Sequence, residues 1–396
     1  MGHSRRDRAK LWHLEGAMRA CLMVLSLLGV ACSAEMRERP SFDIDGDGAD
    51  ELLVRQSWDG RVRTLSIDGT LGDTVLMTAF TETVVRVGDV NGDGRDDLAV
   101  RAPLERDEQV RIHLGRADGT ADPTPFFVLE ITGSLRNVKA AGDVNGDGLS
   151  DLIAVGFGGP SFVVYGNPST PVVSDPLRFD GEVLTRIDLD GDGRADLLST
   201  DYDDEDRREE HRVLLGGSDT LLEVPAAGPF IGSFPDPDEP RRDLLVGALL
   251  VSGRVVPSGV ARWNGTDFSA ADVPGLPGFP LGRGQIMGDE TIDSLILVLP
   301  DEGEPCLVQI GGPYGVLGEV AADHSDRCGS AWASVGGDLD GDGFDEVLAW
   351  IFADDGSRGL RIHHGGRDAL TPGASALPVV EVGPVPAEEW SVSPVL

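Results

Sequence analysis

One ten-residue pattern recurs along the chain and constrains its fold more than any other feature. It reads DIDGDGADEL from Asp43, DVNGDGRDDL from Asp89, DVNGDGLSDL from Asp143, DLDGDGRADL from Asp188 and DLDGDGFDEV from Asp338. The first four starts lie 46, 54 and 45 residues apart, and the fifth follows after 150, which is room for two more units of similar length. Two eroded copies fill that gap: IGSFPDPDEPRRDLLVG from Ile231, and MGDETIDSLILVL from Met287 with a shortened loop. A period of this kind signals a repeat architecture, in which each unit buries its apolar surface only against its neighbours.

Each unit has the same plan. An apolar stretch often ending in Gly leads into the acidic loop, and an alternating run such as DLAVRA or ELLVRQ follows, so strands are expected on both sides. Two more β-prone stretches complete most units, as with VRIHLG and PFFVLEI in the second. Four short strands repeated radially make propeller blades. The expected fold is therefore all-β, a seven-bladed β-propeller with ion-binding loops between the first two strands of most blades. The tail from Leu377 to Leu396 offers one strand more than the last blade needs and is expected to close blade one.

The loop chemistry points to a hard cation. In the second copy, oxygen-bearing side chains fall at positions 1, 3, 5 and 9 (Asp89, Asn91, Asp93 and Asp97), around a tight turn at Gly94. With the carbonyl of Arg95 at position 7 and water, such a loop suits calcium, which takes six to eight oxygens at 2.3–2.6 Å. An EF-hand would need a bidentate Glu at position 12 and flanking helices. Position 12 here is Val54, Val100, Ala154, Ser199 or Ala349, which excludes that reading.

The motif Asp-x-[Asp/Asn]-Gly-Asp-Gly-x-x-[Asp/Glu]-[Leu/Val], set between strands, resembles the FG-GAP/VCBS repeats of integrin-α-like propellers, over roughly residues 39 to 396. The resemblance implies ligand sets at Asp43, Asp45, Asp47 and Glu51; at Asp89, Asn91, Asp93 and Asp97; and at Asp143, Asn145, Asp147 and Asp151. It implies two more at Asp188, Asp190, Asp192 and Asp196, and at Asp338, Asp340, Asp342 and Glu346. The position-7 carbonyls would be those of Ala49, Arg95, Leu149, Arg194 and Phe344. About five calcium ions with a structural role follow, and the eroded fifth and sixth units are expected to bind none. Glu51 and Glu346 depart from the usual Asp at position 9. The resemblance also implies that partners dock opposite the loops, on connections such as Trp58 to Gly60, Leu104 to Gln109 and Tyr202 to Glu210. Within the last of these, the charge run DYDDEDRREE is expected to be a solvated loop.

Charge narrows the partners. A formal net charge of -35 and a pI near 4.3 exclude an electrostatic grip on nucleic acid. At the N-terminus, Arg5, Arg6, Arg8, Lys10 and Arg19 precede an apolar run from Cys21 to Ala31, the layout of a signal peptide. The run is too short for a bilayer core that needs about 20 residues of helix. It ends Leu28-Gly29-Val30-Ala31-Cys32, which resembles a bacterial lipobox, with Gly29 as the departure. The expected organisation is a signal peptide over 1–31, lipidation at Cys32, a short tether over 32–38 and the propeller over 39–396. The product would be a monomer held at the bacterial cell envelope by its lipid alone, or secreted if cleavage falls near Ala31 or Ala34. Cys306 and Cys328 remain as an even pair, for which export favours a disulfide over two buried thiols.

No HExxH, GxSxG or Gly-rich phosphate loop followed by Lys is present. His113 and His363 occupy matching places in RIHLG and RIHHG and read as one repeated strand position, while His211 and His324 stand alone. The expected function is a non-enzymatic surface module recognising protein or glycan. A glycan-active enzyme of polysaccharide-lyase type on a calcium-stabilised propeller is the alternative.

Overall fold

A computed structural model describes residues 42–394 except for connecting segments, the longer being 236–241, 272–277, 287–292, 299–306, 322–331, 367–378 and 386–391. Among the described residues there is no helix, and the strands form seven four-stranded antiparallel sheets. Sheet one holds β1 (Leu52–Gln56), β2 (Arg61–Leu65) and β3 (Leu71–Met77). Sheet two is β4 (Thr83–Gly88), β5 (Asp97–Pro103), β6 (Asp107–His113) and β7 (Phe127–Thr132). Sheet three is β8 (Leu135–Gly142), β9 (Asp151–Gly156), β10 (Phe162–Tyr165) and β11 (Val172–Val173). Sheet four is β12 (Glu182–Ile187), β13 (Asp196–Asp203), β14 (Arg208–Leu214) and β15 (Leu221–Pro225). Sheet five is β16 (Phe230–Pro235), β17 (Asp243–Val251), β18 (Arg254–Trp263) and β19 (Phe268–Ala271). Sheet six is β20 (Gly278–Gly284), β21 (Asp293–Val298), β22 (Leu307–Gly312) and β23 (Gly315–Ala321). Sheet seven is β24 (Trp332–Gly337), β25 (Glu346–Phe352), β26 (Arg358–His363) and β27 (Val379–Val385).

The last strand, β28 (Val392–Pro394), joins sheet one instead of sheet seven and pairs with β1 through Val54↔Pro394, Arg55↔Ser393 and Gln56↔Val392. The reason lies in the register of the repeat. In sheet one the acidic loop precedes β1, so β1 is the second strand of its unit and its missing first strand comes from the C-terminal tail, as expected from the surplus strand there.

The second strands differ from the alternating pattern read in the sequence. Along β5, Asp97, Leu98, Ala99 and Val100 are all buried, and β9 is buried throughout. A sheet covered on both faces has a continuous apolar central strand instead of an in-out alternation. The side chains divide accordingly. Leu98 and Val100 pack with Leu53 and Val62 of sheet one, while Ala99 packs with Leu152 and Ala154 of sheet three. Ile153 and Val155 then face Leu197 of sheet four, and Leu198 faces Leu245 of sheet five. Leu52 and Val54 pack with Leu348, Leu360 and Ile362 of sheet seven.

The first strands also lie side by side, β4 against β8, β8 against β12, β16 against β20 and β20 against β24. Each fully buried aliphatic side chain contributes about 1.5–3 kcal/mol, and the buried clusters that span neighbouring sheets hold the sheets together. The fold is a β-propeller-like all-β arrangement in which sheet seven meets sheet one.

The charge run DYDDEDRREE is not a loop along most of its length. β13 and β14 extend into it, pairing Asp201↔Glu210, Tyr202↔Glu209 and Asp203↔Arg208. A hairpin lets backbone pairing continue outward into a charged run. No helix among the described residues is long and apolar enough to cross a membrane. Residues 1–41, with the expected signal peptide, Cys32 and the expected tether, lie outside the described residues, as do Cys306 and Cys328.

Candidate metal centres in the acidic loops

The five acidic loops close on themselves in the same way. The position-1 carboxylate is the hub: Asp43 Oδ1 accepts from the N–H groups of Gly46 at 2.6 Å and Asp47 at 3.1 Å, and Oδ2 from Gly48 at 2.9 Å. Asp89 does the same for Gly92, Asp93 and Gly94, and Asp143 for Gly146, Asp147 and Gly148. Asp188 accepts from Gly191 and Gly193, and Asp338 from Asp342 and Gly343. Position 3 then accepts from the N–H of position 5 (Asp45, Asn91, Asn145, Asp190 and Asp340), and position 5 from position 7. Backbone donors thus aim the side chains at positions 1, 3 and 5 around one turn.

This turn is possible because the glycines at positions 4 and 6 both have positive φ, 78° and 82° at Gly92 and Gly94 for example. At Gly94 a Cβ would meet nothing within 4 Å, so conformation and not space selects glycine there.

The position-9 carboxylate closes the loop from the strand side. Glu51, Asp97, Asp151, Asp196 and Glu346 each accept from the N–H of position 2, at 2.6–2.9 Å. In the three loops with Asp at position 9, the second oxygen accepts from a glycine at the end of the third strand: Gly115 for Asp97, Gly166 for Asp151 and Gly216 for Asp196. Burial pushes these carboxyls up, helped by the loop's own carboxylates and opposed by the backbone donors. Glu51, Asp97 and Glu346 rise to about 8, and Asp151 and Asp196 to about 7. Buried carboxyls beside other carboxylates hold protons into the neutral range, and a cation would relieve them.

Three of the loops bring carboxylate oxygens within 4.8 Å of one another: Asp43, Asp45, Asp47 and Glu51; Asp188, Asp190 and Asp196; and Asp338, Asp340 and Asp342. The donors are all oxygens, which suits a hard divalent cation.

Two features were not legible in the motif. The first is position 8. The N–H of Asp96 donates to the carbonyl of Asp43, and the N–H of Asp43 to Asp96 Oδ2. Ser150 donates to Asp89 and Ala195 to Asp143, each from its backbone N–H to a carbonyl. Asp345 pairs with Gln285 in the same reciprocal manner as Asp96 with Asp43, and Asp50 with Asp338. Position 8 of each loop is therefore clasped to position 1 of the loop before it. The signal available was the Asp at position 8 in three copies.

The eroded fifth unit keeps the clasp and lacks the position-9 acid. Its Asp243 donates to the Asp188 carbonyl and accepts from the Asp188 N–H, so it holds position 8. Position 9 is then Leu244, fully buried and without a ligand atom. The second missed feature is His364, whose Nδ1 lies 3.3 Å from Asp340 Oδ2. His113 and His363 do hold equivalent strand positions, opposite Leu98 and Val347.

Fold and loops together define a β-propeller-like repeat protein with acidic turns between strands. The FG-GAP-like repeat family matches residues 43–100 and 89–154, so this stretch of the chain carries FG-GAP-like repeats. Integrin alpha-4 of Xenopus laevis is 32% identical over 144 residues, covering 29% of this chain and 13% of that protein. Integrin alpha-IIb of Mus musculus is 33% identical over 153 residues, covering 31% and 15%. The match thus spans well under a fifth of these relatives' length. Among solved structures, BBS1N in complex with ARL6DN superposes with a TM-score of 0.46 at 11% identity, over 87% of this chain and 96% of that one. The tricorn protease gives 0.46 at 13% identity, over 82% and 33%.

Proposed function

We propose that the protein is a calcium-stabilised seven-bladed β-propeller that serves as a non-enzymatic recognition module for protein or glycan at the cell surface. The observation that carries the reading is the shared loop architecture, in which position 1 organises the turn and positions 3, 5 and 9 each accept from a backbone N–H of the same loop. Asp43, Asp45, Asp47 and Glu51 gather within 4.8 Å of one another with no basic partner in the group. An ion there supplies the missing positive charge, and its binding energy adds to folding by mass action.

The seven sheets, the return of β28 to sheet one and the loop-to-loop clasps support a closed ring of seven blades. The ions are structural in this reading, because each loop sits between two strands of its own blade. Recognition then falls to the opposite ends of the second strands, where the β1–β2, β5–β6 and β13–β14 connections lie. The N-terminal segment would export the chain and anchor it through Cys32, with a Cys306–Cys328 disulfide formed outside the cytoplasm.

Thermal unfolding of the purified protein across calcium concentrations tests the reading, with EGTA as baseline and magnesium as control. A large calcium-specific rise in Tm is expected. No difference between calcium and EGTA would turn the loops into solvated Asp-Gly turns.

A further inference from the structure

The seventh loop differs from the others in its donor set. In sheets two, three and four, the residue just before the glycine that caps position 9 is Leu114, Tyr165 or Leu215. The equivalent residue in sheet seven is His364, which precedes Gly365 on the strand aligned by Val347↔His363. Its Nδ1 lies 3.3 Å from Asp340 Oδ2 and 4.0 Å from Glu346 Oε1, and the three donors fall within 4.8 Å of one another.

Glu346 supplies the independent observation. Its side chain is 0% exposed, and Oε2 accepts from the Leu339 N–H. Oε1, aimed toward His364, has no hydrogen-bond partner, whereas the matching oxygens of Asp97, Asp151 and Asp196 each accept from a glycine. A buried carboxylate oxygen without a donor is unfavourable, and a cation at this point would satisfy it.

We infer that the seventh loop is a mixed nitrogen–oxygen site, held by Asp340, Glu346 and His364, for a borderline divalent ion of the zinc class. This rests on the reading of the loops as cation sites and departs from it in the choice of metal. Calcium takes oxygen ligands, whereas imidazole suits zinc and its first-row neighbours. Tetrahedral bonds of about 2.0–2.2 Å place donors about 3.4 Å apart, close to the His364–Asp340 separation. The other four loops have only oxygen donors in their motif and stay with calcium.

The test strips the protein with EDTA, dialyses it against excess calcium with zinc, and counts both metals, with cobalt(II) as the visible probe. About one zinc per chain beside the calcium is expected, together with a cobalt d–d band, and both are lost in His364→Leu. That variant carries the residue found at positions 114 and 215, and an unchanged Tm in calcium confirms that it is folded. Glu346→Gln, which keeps the shape and removes the charge, should weaken zinc retention at least tenfold. No zinc in the parent protein, or equal zinc in His364→Leu, overturns the inference. Calcium retained without zinc overturns this inference alone, and loss of both metals overturns the calcium reading as well.

Discussion

Asp50 and Asp338 stand 288 residues apart and clasp one another through backbone and side chain. The Asp338 N–H donates to Asp50 Oδ2 at 2.7 Å, the Asp50 N–H donates to the Asp338 carbonyl at 2.8 Å, and Asp50 Oδ1 accepts from the Phe42 N–H at 2.8 Å. This clasp joins the last acidic loop to the first, beside the seam where β28 pairs with β1. One buried side chain therefore serves two backbone donors from opposite ends of the chain.

Asp50→Ala leaves both donors without an acceptor. Each costs about 1–3 kcal/mol when buried, so a loss of roughly 2–6 kcal/mol is expected in urea unfolding. Asp96→Ala removes the acceptor of the Asp43 N–H only and should cost about half as much. Removal of residues 392–396 combined with Asp50→Ala should cost less than the sum of the two, because both open the same seam. Full additivity would show that the clasp and the strand act independently.

The loops should empty one at a time. Asp143→Ala removes the acceptor for three backbone N–H groups, and the turn that aims Asn145 and Asp147 goes with it. Isothermal titration should then count one calcium fewer than in the parent protein, with the remaining sites unchanged in affinity. A general fall in affinity across all sites would instead mean that the loops bind as one coupled ring.

The five complete loops, the seven units and the tail that returns to the first sheet were legible because each leaves a mark that repeats. Position 9, for example, is an acid before an apolar pair in every complete copy. Position 8 was not, since Ser150 and Ala195 do by backbone what Asp96 does by backbone and side chain, and a role carried by N–H and C=O leaves no consistent residue. Asp243 misled for the same reason: Asp-Leu-Leu resembles the end of the motif, yet the backbone bonds to Asp188 place it one position earlier. His364 was hidden beside His363, whose likeness to His113 explained the pair as strand residues. The match of RIHLG to RIHHG already aligns Leu114 with His364, and the cross-strand register adds Tyr165 and Leu215.

Glycine at position 6 is required for its backbone. Gly94 has φ 82° with open space where a Cβ would stand. Gly94→Ala should therefore cost about 1 kcal/mol, Gly94→Asn less, since Asn tolerates this region, and Gly94→Val more. Urea midpoints with and without calcium would check the order. Equal losses for Ala, Asn and Val would remove the conformational argument.

The position-9 carboxyls set a dependence on pH whose direction calcium should change. Burial raises Glu51, Asp97, Asp151, Asp196 and Glu346 to about 7–8 in the metal-free fold, against about 4 in an unfolded chain. The folded state thus holds protons that the unfolded chain releases. Their contribution to stability is complete below about pH 4 and is lost as pH rises through about 7–8. In EGTA the Tm should fall steadily from about pH 5.5 to pH 8.5. In saturating calcium the ion takes the proton's place in the four oxygen-only loops, so most of that fall should disappear, and calcium affinity should rise with pH as binding displaces protons. Proton release on adding calcium in weak buffer at about pH 7 measures the exchange directly. A Tm in EGTA that stays level across this range, with no protons released, would mean that these carboxyls are ionised in the metal-free fold and that their charge is balanced by some other group.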